Sequence, residues 1–130
     1  MAESMDGIDP RAVLAGRRIL VVEDEALVAM LIEDTLTDLG CEVVGPVASI
    51  GEALDLVQGG AVDGATLDIN LGREEAYAIA ETLEARGIRF LLMSGYAPEN
   101  LSAPYTRWRM LQKPFSERAL ARSLAEVLTA

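Results

Sequence analysis

The sequence predicts one α/β domain in which a parallel β-sheet lies between two layers of helices. Short apolar runs alternate along the chain with longer segments whose apolar residues recur at helical spacing, as in repeated strand–helix units. The apolar runs contain few polar residues, which is typical of strands that are covered on both faces. The chain has 130 residues, the usual length of one domain that buries its own core.

The composition and net charge of the chain exclude several classes of partner and location. The chain is 51% hydrophobic and carries a formal net charge of −10, so nucleic acid and anionic membranes would repel it, and we predict neither as a partner. It has neither a stretch apolar enough to span a bilayer nor a signal-peptide core, so we expect a cytoplasmic protein. It contains no histidine. The single cysteine, Cys41, is predicted to be a small core residue, with a reactive thiol as the alternative.

Residues 1–16 are predicted to be an N-terminal extension of a domain that spans residues 17–130. Within the extension, Asp9 and Pro10 are placed to begin a short helix, and Gly16 lies just past its end. An unstructured tail is the alternative interpretation of this segment.

Five predicted strands alternate with helices in the rest of the chain. The strand-like runs are residues 19–22, 41–44, 64–68, 89–93 and 110–112. The helical segments are residues 25–39, 50–58 and 74–86, and a last helix follows Ser116 with Leu120, Leu124, Val127 and Leu128 on its apolar face. Ser49 and Glu52 form a capping box for the second of these helices, and Ser116 caps the last one. Between Pro98 and Pro104 there is room only for a short or irregular fourth helix.

Two local features of the pattern carry further expectations. The helix after the first strand has one apolar stripe, with further apolar residues beside it. The stripe is Leu27, Leu31 and Leu39, and the residues beside it are Val28, Ile32 and Leu36. After the second strand, Gly45 and Pro46 are expected to end the strand pairing.

Polar and ionisable side chains stand at the carboxyl ends of four predicted strands. They are Glu23 and Asp24 after the first strand, Asp68 at the end of the third, Ser94 after the fourth and Lys113 after the fifth. Ligands of an open parallel sheet bind outside the carboxyl ends of its strands, so we expect these side chains to converge. Singly, each has an ordinary explanation, such as a helix cap for Asp24 or a solvated charge for Lys113.

The predicted convergence of carboxylates indicates a metal site. Carboxylates close together raise one another's pKa values, and a hard divalent cation relieves the repulsion. We expect Mg²⁺, with Mn²⁺ as an alternative, to be bound directly by Asp24 and Asp68. Glu23 is expected to act through water, and Asn70 through its backbone carbonyl.

The same residues indicate phosphoryl transfer. Asp68 can act as a carboxylate nucleophile toward a phosphoryl group. The resulting charge would be neutralised by the metal ion, by the Lys113 ammonium and by the Ser94 hydroxyl.

Four short motifs resemble the receiver domain of bacterial two-component response regulators. They are Val21–Glu25, Leu67–Asn70, Met93–Tyr96 and Gln112–Phe115. The resemblance covers residues 17–129 and is specific because all four motifs occur in order at strand ends. It implies a single-domain, flavodoxin-like (βα)5 three-layer sandwich with strand order 2-1-3-4-5.

The resemblance also assigns roles to the site residues. Asp68 is implied to be the phosphoacceptor, Glu23 and Asp24 the acidic pair, Ser94 the switch hydroxyl and Lys113 the phosphate-binding lysine. It implies a cis peptide bond between Lys113 and the proline that follows. The phosphodonor would be a partner histidine kinase or phosphotransfer protein, and a downstream regulator protein would be a further partner. The resemblance implies a phosphoacceptor switch that catalyses its own phosphoryl transfer and dephosphorylation, and not an enzyme in the usual sense.

The chain departs from the family pattern in the expected switch region. Phe90 to Tyr96 is similar to a subgroup with a Phe-Ala-Thr-Gly-Tyr-like sequence, but Met93 and Ser94 stand in place of Ala-Thr. Met110 occupies the place of the usual aromatic switch residue. We therefore expect Gly95 and Tyr96 to modulate the site. We expect the switch surface to consist of Tyr96, Tyr105, Trp108 and Met110, although core packing would also explain its aromatic members.

Two other functions compete with a phosphorylated switch. Asp68 and Asn70 faintly resemble the Asp-x-Asp motif of haloacid-dehalogenase phosphatases, which also use an aspartate nucleophile. That motif should precede the other acidic residues of the site, and here the order is reversed. A pseudo-receiver that only binds a partner is the other alternative, and the intact residue set argues against it.

Overall fold

The computed structural model describes residues 9–71, 73–96 and 107–129, with the backbone alone for residues 71 and 73–75. In these ranges the chain forms five strands and five α-helices. In chain order they are α1 (Pro10–Leu14), β1 (Arg18–Val22), α2 (Ala26–Asp38), β2 (Glu42–Val47), α3 (Ile50–Gln58), β3 (Gly64–Asp68), α4 (Arg73–Ala85), β4 (Arg89–Ser94), β5 (Met110–Gln112) and α5 (Glu117–Thr129). The helix expected between Pro98 and Pro104 lies outside the described residues.

The five strands form one parallel sheet in the order β2-β1-β3-β4-β5. This confirms the predicted three-layer, flavodoxin-like fold and its strand order. The pairing places Asp68 opposite Met93, and Ser94 opposite Gln112. The carboxyl ends of β3, β4 and β5 therefore meet at one edge of the sheet, as the sequence predicts.

Two hydrophobic clusters cover the two faces of the sheet. One joins alternate residues of β1, β3 and β4, such as Leu20 and Leu67, to α3 and α4. The other joins the intervening residues, such as Ile19 and Leu91, to α1, α2 and α5. Because successive side chains of a strand point to opposite faces, continuously apolar strands supply both clusters.

Helix caps fix the beginnings of α3 and α5. Ser49 Oγ accepts a hydrogen bond from the Glu52 amide at 3.3 Å, and Ser116 Oγ accepts one from the Ala119 amide at 3.0 Å. Both predicted caps are confirmed.

The N-terminal helix α1 packs against α5. Asp9 caps it by accepting a hydrogen bond from the Arg11 amide at 3.1 Å, which confirms the predicted helix. Leu14 is fully buried in the second core cluster, and the Cys41 thiol donates to its carbonyl at 3.4 Å. Burial raises the pKa of Cys41, as befits a core residue. The boundary at residue 16 stays a prediction.

One local expectation is wrong. Strand β2 does not end before Gly45 but continues to Val47, with a cis bond between Gly45 and Pro46 and a register shift against β1. An edge strand tolerates proline, because one side of its backbone has no ladder partner. Helix α2 turns Ile32 and Leu36, which lie beside the predicted stripe, toward the core, and leaves Leu27 at the start of that stripe 81% exposed.

Candidate functional site

Four strand ends position the candidate site. Asp68 is the last residue of β3 and Ser94 the last of β4. Glu23 directly follows β1, and Lys113 directly follows β5. The Lys113 amide donates to the Ser94 carbonyl at 2.7 Å, which ties the end of β5 to the end of β4. The predicted convergence of these side chains is therefore found in the structure.

The Lys113 ammonium lies at the centre of an acidic cluster. Its Nζ atom is 3.2 Å from Glu23 Oε1, 3.3 Å from Asp68 Oδ2 and 3.2 Å from Glu25 Oε1. The side chains of Glu23 and Asp68 have no exposed surface, and that of Lys113 is 13% exposed. Glu23, Asp68 and Lys113 are thus largely removed from solvent, whereas the Glu25 side chain at the edge of the cluster is 63% exposed.

Burial and neighbouring charge shift two pKa values in this cluster. Burial, together with the adjacent Asp68 carboxylate, raises the pKa of Glu23 to about 7. For Lys113, burial lowers the pKa, but the negative charges of Asp68 and Glu23 and the bond to Glu25 outweigh it, so the pKa is raised. The ammonium therefore stays protonated while it stabilises the two buried carboxylates.

The structure brings Glu25, and not Asp24, into the acidic cluster. Carboxylate oxygens of Glu23, Glu25 and Asp68 lie within 4.8 Å of one another. Asp24 and Glu25 are both exposed, but Glu25 is the one that pairs with Lys113. Sequence reasoning missed Glu25, although it belongs to the motif that begins at Val21. Strand and helix periodicity carried no signal for it, because both acidic residues lie in the connection between β1 and α2.

The donor atoms of the cluster fit a hard divalent cation. Asp68 Oδ1 accepts a hydrogen bond from the Asn70 amide at 2.9 Å. Glu23 Oε1 and Asp68 Oδ2 are buried and accept no hydrogen bond from the described residues; each faces Lys113 Nζ as a charge partner only. Buried carboxylate oxygens with unused lone pairs are the ligands that Mg²⁺ prefers.

Ser94 is fully buried next to the acidic cluster. Its hydroxyl oxygen accepts a hydrogen bond from the Tyr96 amide at 2.9 Å. Gly95 lies between them, and a Cβ atom there would stand 3.6 Å from Asn70 Nδ2. The Tyr96 side chain is exposed. These three residues therefore form a turn at the rim of the site.

The residues predicted for the switch surface occupy different places. Met110 is half-buried against the first core cluster. Trp108 packs with its ring centroid 5.7 Å from that of Tyr77 and 5.5 Å from that of Phe90. Tyr105 lies outside the described residues. The bond between Lys113 and the following proline is cis, as the resemblance implies.

Comparison with protein families decides the class of the chain. The family model described as the response regulator receiver domain matches residues 19–125. The chain is a receiver domain of this family. Two-component signalling and a Mg²⁺-binding acidic cluster are consistent with that membership. Comparison with curated proteins gave no match.

Solved receiver structures resemble the chain over most of its length. SdrG from Pseudomonas melonis Fr1, solved in its BeF3-activated conformation, is 40% identical with a TM-score of 0.76, and the match covers 88% of this chain and 98% of SdrG. The response regulator PhyR from Brucella abortus is 27% identical with a TM-score of 0.77, and the match covers 92% of this chain and 51% of PhyR.

A third structure shares the fold at lower identity. It is the receiver domain of a Pseudomonas aeruginosa PAO1 sensor histidine kinase, solved with a magnesium ion in its active-site cleft. It is 24% identical with a TM-score of 0.72, and the match covers 89% of this chain and all of that domain. Similarity to the Phe-Ala-Thr-Gly-Tyr subgroup stays a prediction. Among the helices of the described ranges, none has the length and apolar character needed to cross a membrane.

Proposed function

We propose that this receiver accepts a phosphoryl group on Asp68 from a partner histidine kinase or phosphotransfer protein, and signals through residues 94–113. The observation that carries the proposal is the buried Asp68 carboxylate. Its Oδ2 atom lies 3.3 Å from Lys113 Nζ and has no hydrogen-bond donor among the described residues. Family membership supports the same function and favours it over the phosphatase alternative.

The transfer step follows from the two oxygens of Asp68. The Asn70 amide holds Oδ1, which leaves Oδ2 as the atom that attacks phosphorus. The bond between phosphorus and the donor's nitrogen or oxygen breaks, and an acyl phosphate forms on Asp68. Lys113 is placed to pair with the negative charge of the transferred group. Because Asp68 has no exposed surface, we expect side chains over the site to move before the donor reaches Oδ2.

Mg²⁺ is the proposed cofactor of this site. Asp68 and Glu23 would hold it, together with Glu25 or Asp24 and the Asn70 carbonyl. When bound, the ion supplies positive charge that neutralises the phosphoryl oxygens. Lys113 would share this role, because its ammonium pairs with the carboxylates of Glu23 and Asp68.

An apolar surface beside the site supports docking of the phosphodonor protein there. Leu27 and Met30 on α2 are 81% and 56% exposed. A pocket of about 420 Å³ next to them on α2 is lined by Val28, Leu31, Lys113 and Phe115, among others. Exposed apolar side chains next to a reactive group are typical of an interaction surface.

We expect phosphorylation to signal by repacking the segment from Ser94 to Arg109. The Ser94 hydroxyl is drawn toward the phosphoryl group, which breaks its bond from the Tyr96 amide. Amide hydrogen exchange with and without phosphorylation checks this expectation at residues 95–109. Protection equal to that of the central strands in both states would contradict it.

Labelling of Asp68 tests the proposed function. A small acyl phosphate with Mg²⁺ should add one phosphoryl group to the wild-type chain and none to Asp68→Asn. Asp63→Asn is the matched control, because Asp63 precedes the same strand at its opposite end, and this variant should be labelled like the wild type.

Two outcomes would contradict the phosphoacceptor proposal. Acid-stable label that persists in Asp68→Asn would place the phosphoryl group elsewhere. Failure of the wild type to accept phosphoryl from both a small donor and a panel of histidine kinases would favour the pseudo-receiver alternative.

A further inference from the structure

An arginine-rich face lies along α5 and the amino ends of β4 and β5. Five of the 11 basic residues of the chain line two adjoining pockets there: Arg89, Arg107, Arg109, Arg118 and Arg122. The pockets hold about 420 and 470 Å³ and share Arg109 and Glu126. Glu84 and Glu126 are the acidic residues of the two linings. This arginine face is therefore locally positive in a chain whose net charge is −10.

Two carboxylates, Glu84 and Glu126, pair with three of the five arginines. Glu84 accepts hydrogen bonds from Arg107 at 2.9 Å and from the Trp108 indole at 3.1 Å. Glu126 is bonded to Arg109 and lies 3.8 Å from Arg122. The side chains of Arg107 and Arg109 remain 50% and 52% exposed. Each guanidinium has five N–H donors, so the donors of this face outnumber its carboxylate acceptors.

The pocket nearer β4 combines this charge with an apolar floor. Ile88, Phe90 and Val127 line it beside Trp108. The Arg107 guanidinium lies 4.4 Å from the centroid of the Trp108 ring. This Trp108 pocket therefore presents a planar apolar surface directly beside a cation, a combination suited to an apolar side chain that has a carboxylate neighbour.

We propose that the arginine face binds a short acidic segment of a partner protein, with one apolar side chain of that segment in the Trp108 pocket. Arginine forms paired, planar hydrogen bonds with carboxylates, which a point charge does not. A long polyanion would extend beyond the face and meet the excess negative charge of the rest of the chain, whereas a short segment would not.

The proposed binding face is distant from the phosphoacceptor, although Arg107 to Arg109 end the segment that we expect phosphorylation to repack. The Trp108 pocket lies at the amino ends of β4 and β5, whereas Asp68 and Ser94 lie at carboxyl ends. The unphosphorylated chain therefore suffices for a binding test. The labelling of Asp68 provides an independent check that a variant remains a functional receiver.

A peptide titration tests the proposal. The probe is a short fluorescent peptide of aspartate and glutamate with one central leucine, titrated by anisotropy at low salt with the full chain. The double variant Arg107→Gln with Arg109→Gln should bind it about tenfold more weakly than the wild type. Arg11→Gln with Arg17→Gln removes the same charge from exposed positions outside the face and should retain the wild-type affinity. Replacing the central leucine of the peptide by serine should weaken binding to the wild type.

Three results would overturn the proposal. The first is an equal loss of peptide affinity in both double variants, which would show that the peptide is attracted only by the overall positive charge. The second is equal binding of the leucine and serine peptides, which would remove the Trp108 pocket from the interaction. The third is tighter binding of a single-stranded DNA oligonucleotide, or of phosphatidylglycerol vesicles, than of the peptide. Unchanged melting midpoints and normal Asp68 labelling establish that the variants are folded.

Discussion

The two ends of the sheet hold ion pairs of similar length in very different surroundings. At the carboxyl end, Lys113 Nζ lies 3.3 Å from a fully buried Asp68. At the amino end, an Arg18 guanidinium nitrogen lies 3.1 Å from Asp63 Oδ1, and these side chains are 40% and 32% exposed. Hydrogen bonds from Arg18 lower the pKa of Asp63, whereas burial raises the pKa of Glu23 to about 7.

This difference shows that access to solvent, and not distance, decides what an ion pair does. In the exposed pair, water screens both charges, so the attraction contributes little to stability. In the buried cluster, the loss of hydration makes the carboxylates costly and leaves them ready to gain a proton, a cation or a phosphoryl group. The buried end is therefore the reactive one.

Removal of the buried cation should have the largest effect on stability. Lys113→Met leaves two buried carboxylates without an ammonium. The free energy of unfolding without Mg²⁺ at pH 8 should therefore fall by about 3 kcal/mol or more. Urea titration measures the change. The loss should shrink when Mg²⁺ is added, because the ion replaces the missing charge. A loss of stability as small as that caused by substituting an exposed arginine would show that the cluster is better hydrated than its burial indicates.

The pH dependence of stability should reveal Glu23. Its pKa is raised from 4.5 to about 7 in the folded chain, so the folded state binds this proton more strongly than the unfolded state. The stabilisation is complete below pH 4.5 and is lost as the pH rises through 7. At about 1.4 kcal/mol per pKa unit, the loss in metal-free buffer is up to roughly 3 kcal/mol.

Comparison with Glu23→Gln isolates this effect. The free energy of unfolding of the variant, from urea titrations over the same pH range, should lack the Glu23 component of the decline. Parallel curves for the two proteins would contradict the shifted pKa of Glu23.

Mg²⁺ should raise the melting midpoint by a smaller amount. An ion that binds only the folded state adds about 1.4 kcal/mol at ten times its dissociation constant. Glu25→Gln and Asp24→Asn form a matched pair for this measurement, because both residues are exposed but only Glu25 belongs to the acidic cluster. A shift abolished only in Asp24→Asn would show that the ion draws that side chain inward. An unchanged shift in both variants would exclude both residues as ligands.

Substitution in the exposed Arg18–Asp63 pair should have the smallest effect on stability. Arg18→Gln removes the two guanidinium bonds to Asp63, retains the bond from the backbone amide of residue 18 and leaves both positions in contact with water, so the melting midpoint should move little. Differential scanning calorimetry beside Lys113→Met compares the two ends directly. A loss as large as that of Lys113→Met would mean that the Arg18–Asp63 pair stabilises the sheet more than its exposure predicts.

Local sequence determined most of the fold and the centre of the site. Apolar runs marked the strands, and Ser49 and Ser116 marked helix beginnings, because these signals depend only on near neighbours along the chain. Since all parallel strands end at one edge, the residues that follow them had to converge. Asp68, Ser94 and Lys113 were found in this way, and Glu23 with them.

Tertiary structure decided which of the neighbouring side chains contact the site or the core. Glu25 and Asp24 have similar chemistry and adjacent positions, and only the direction of each side chain brings Glu25 to Lys113. The buried face of α2 depended on its rotation against β1 and α5, which placed Ile32 inside and Leu27 outside. The arginine face draws on three separate segments of the chain. Local periodicity could not show it, because periodicity carries no record of which segments become neighbours in space.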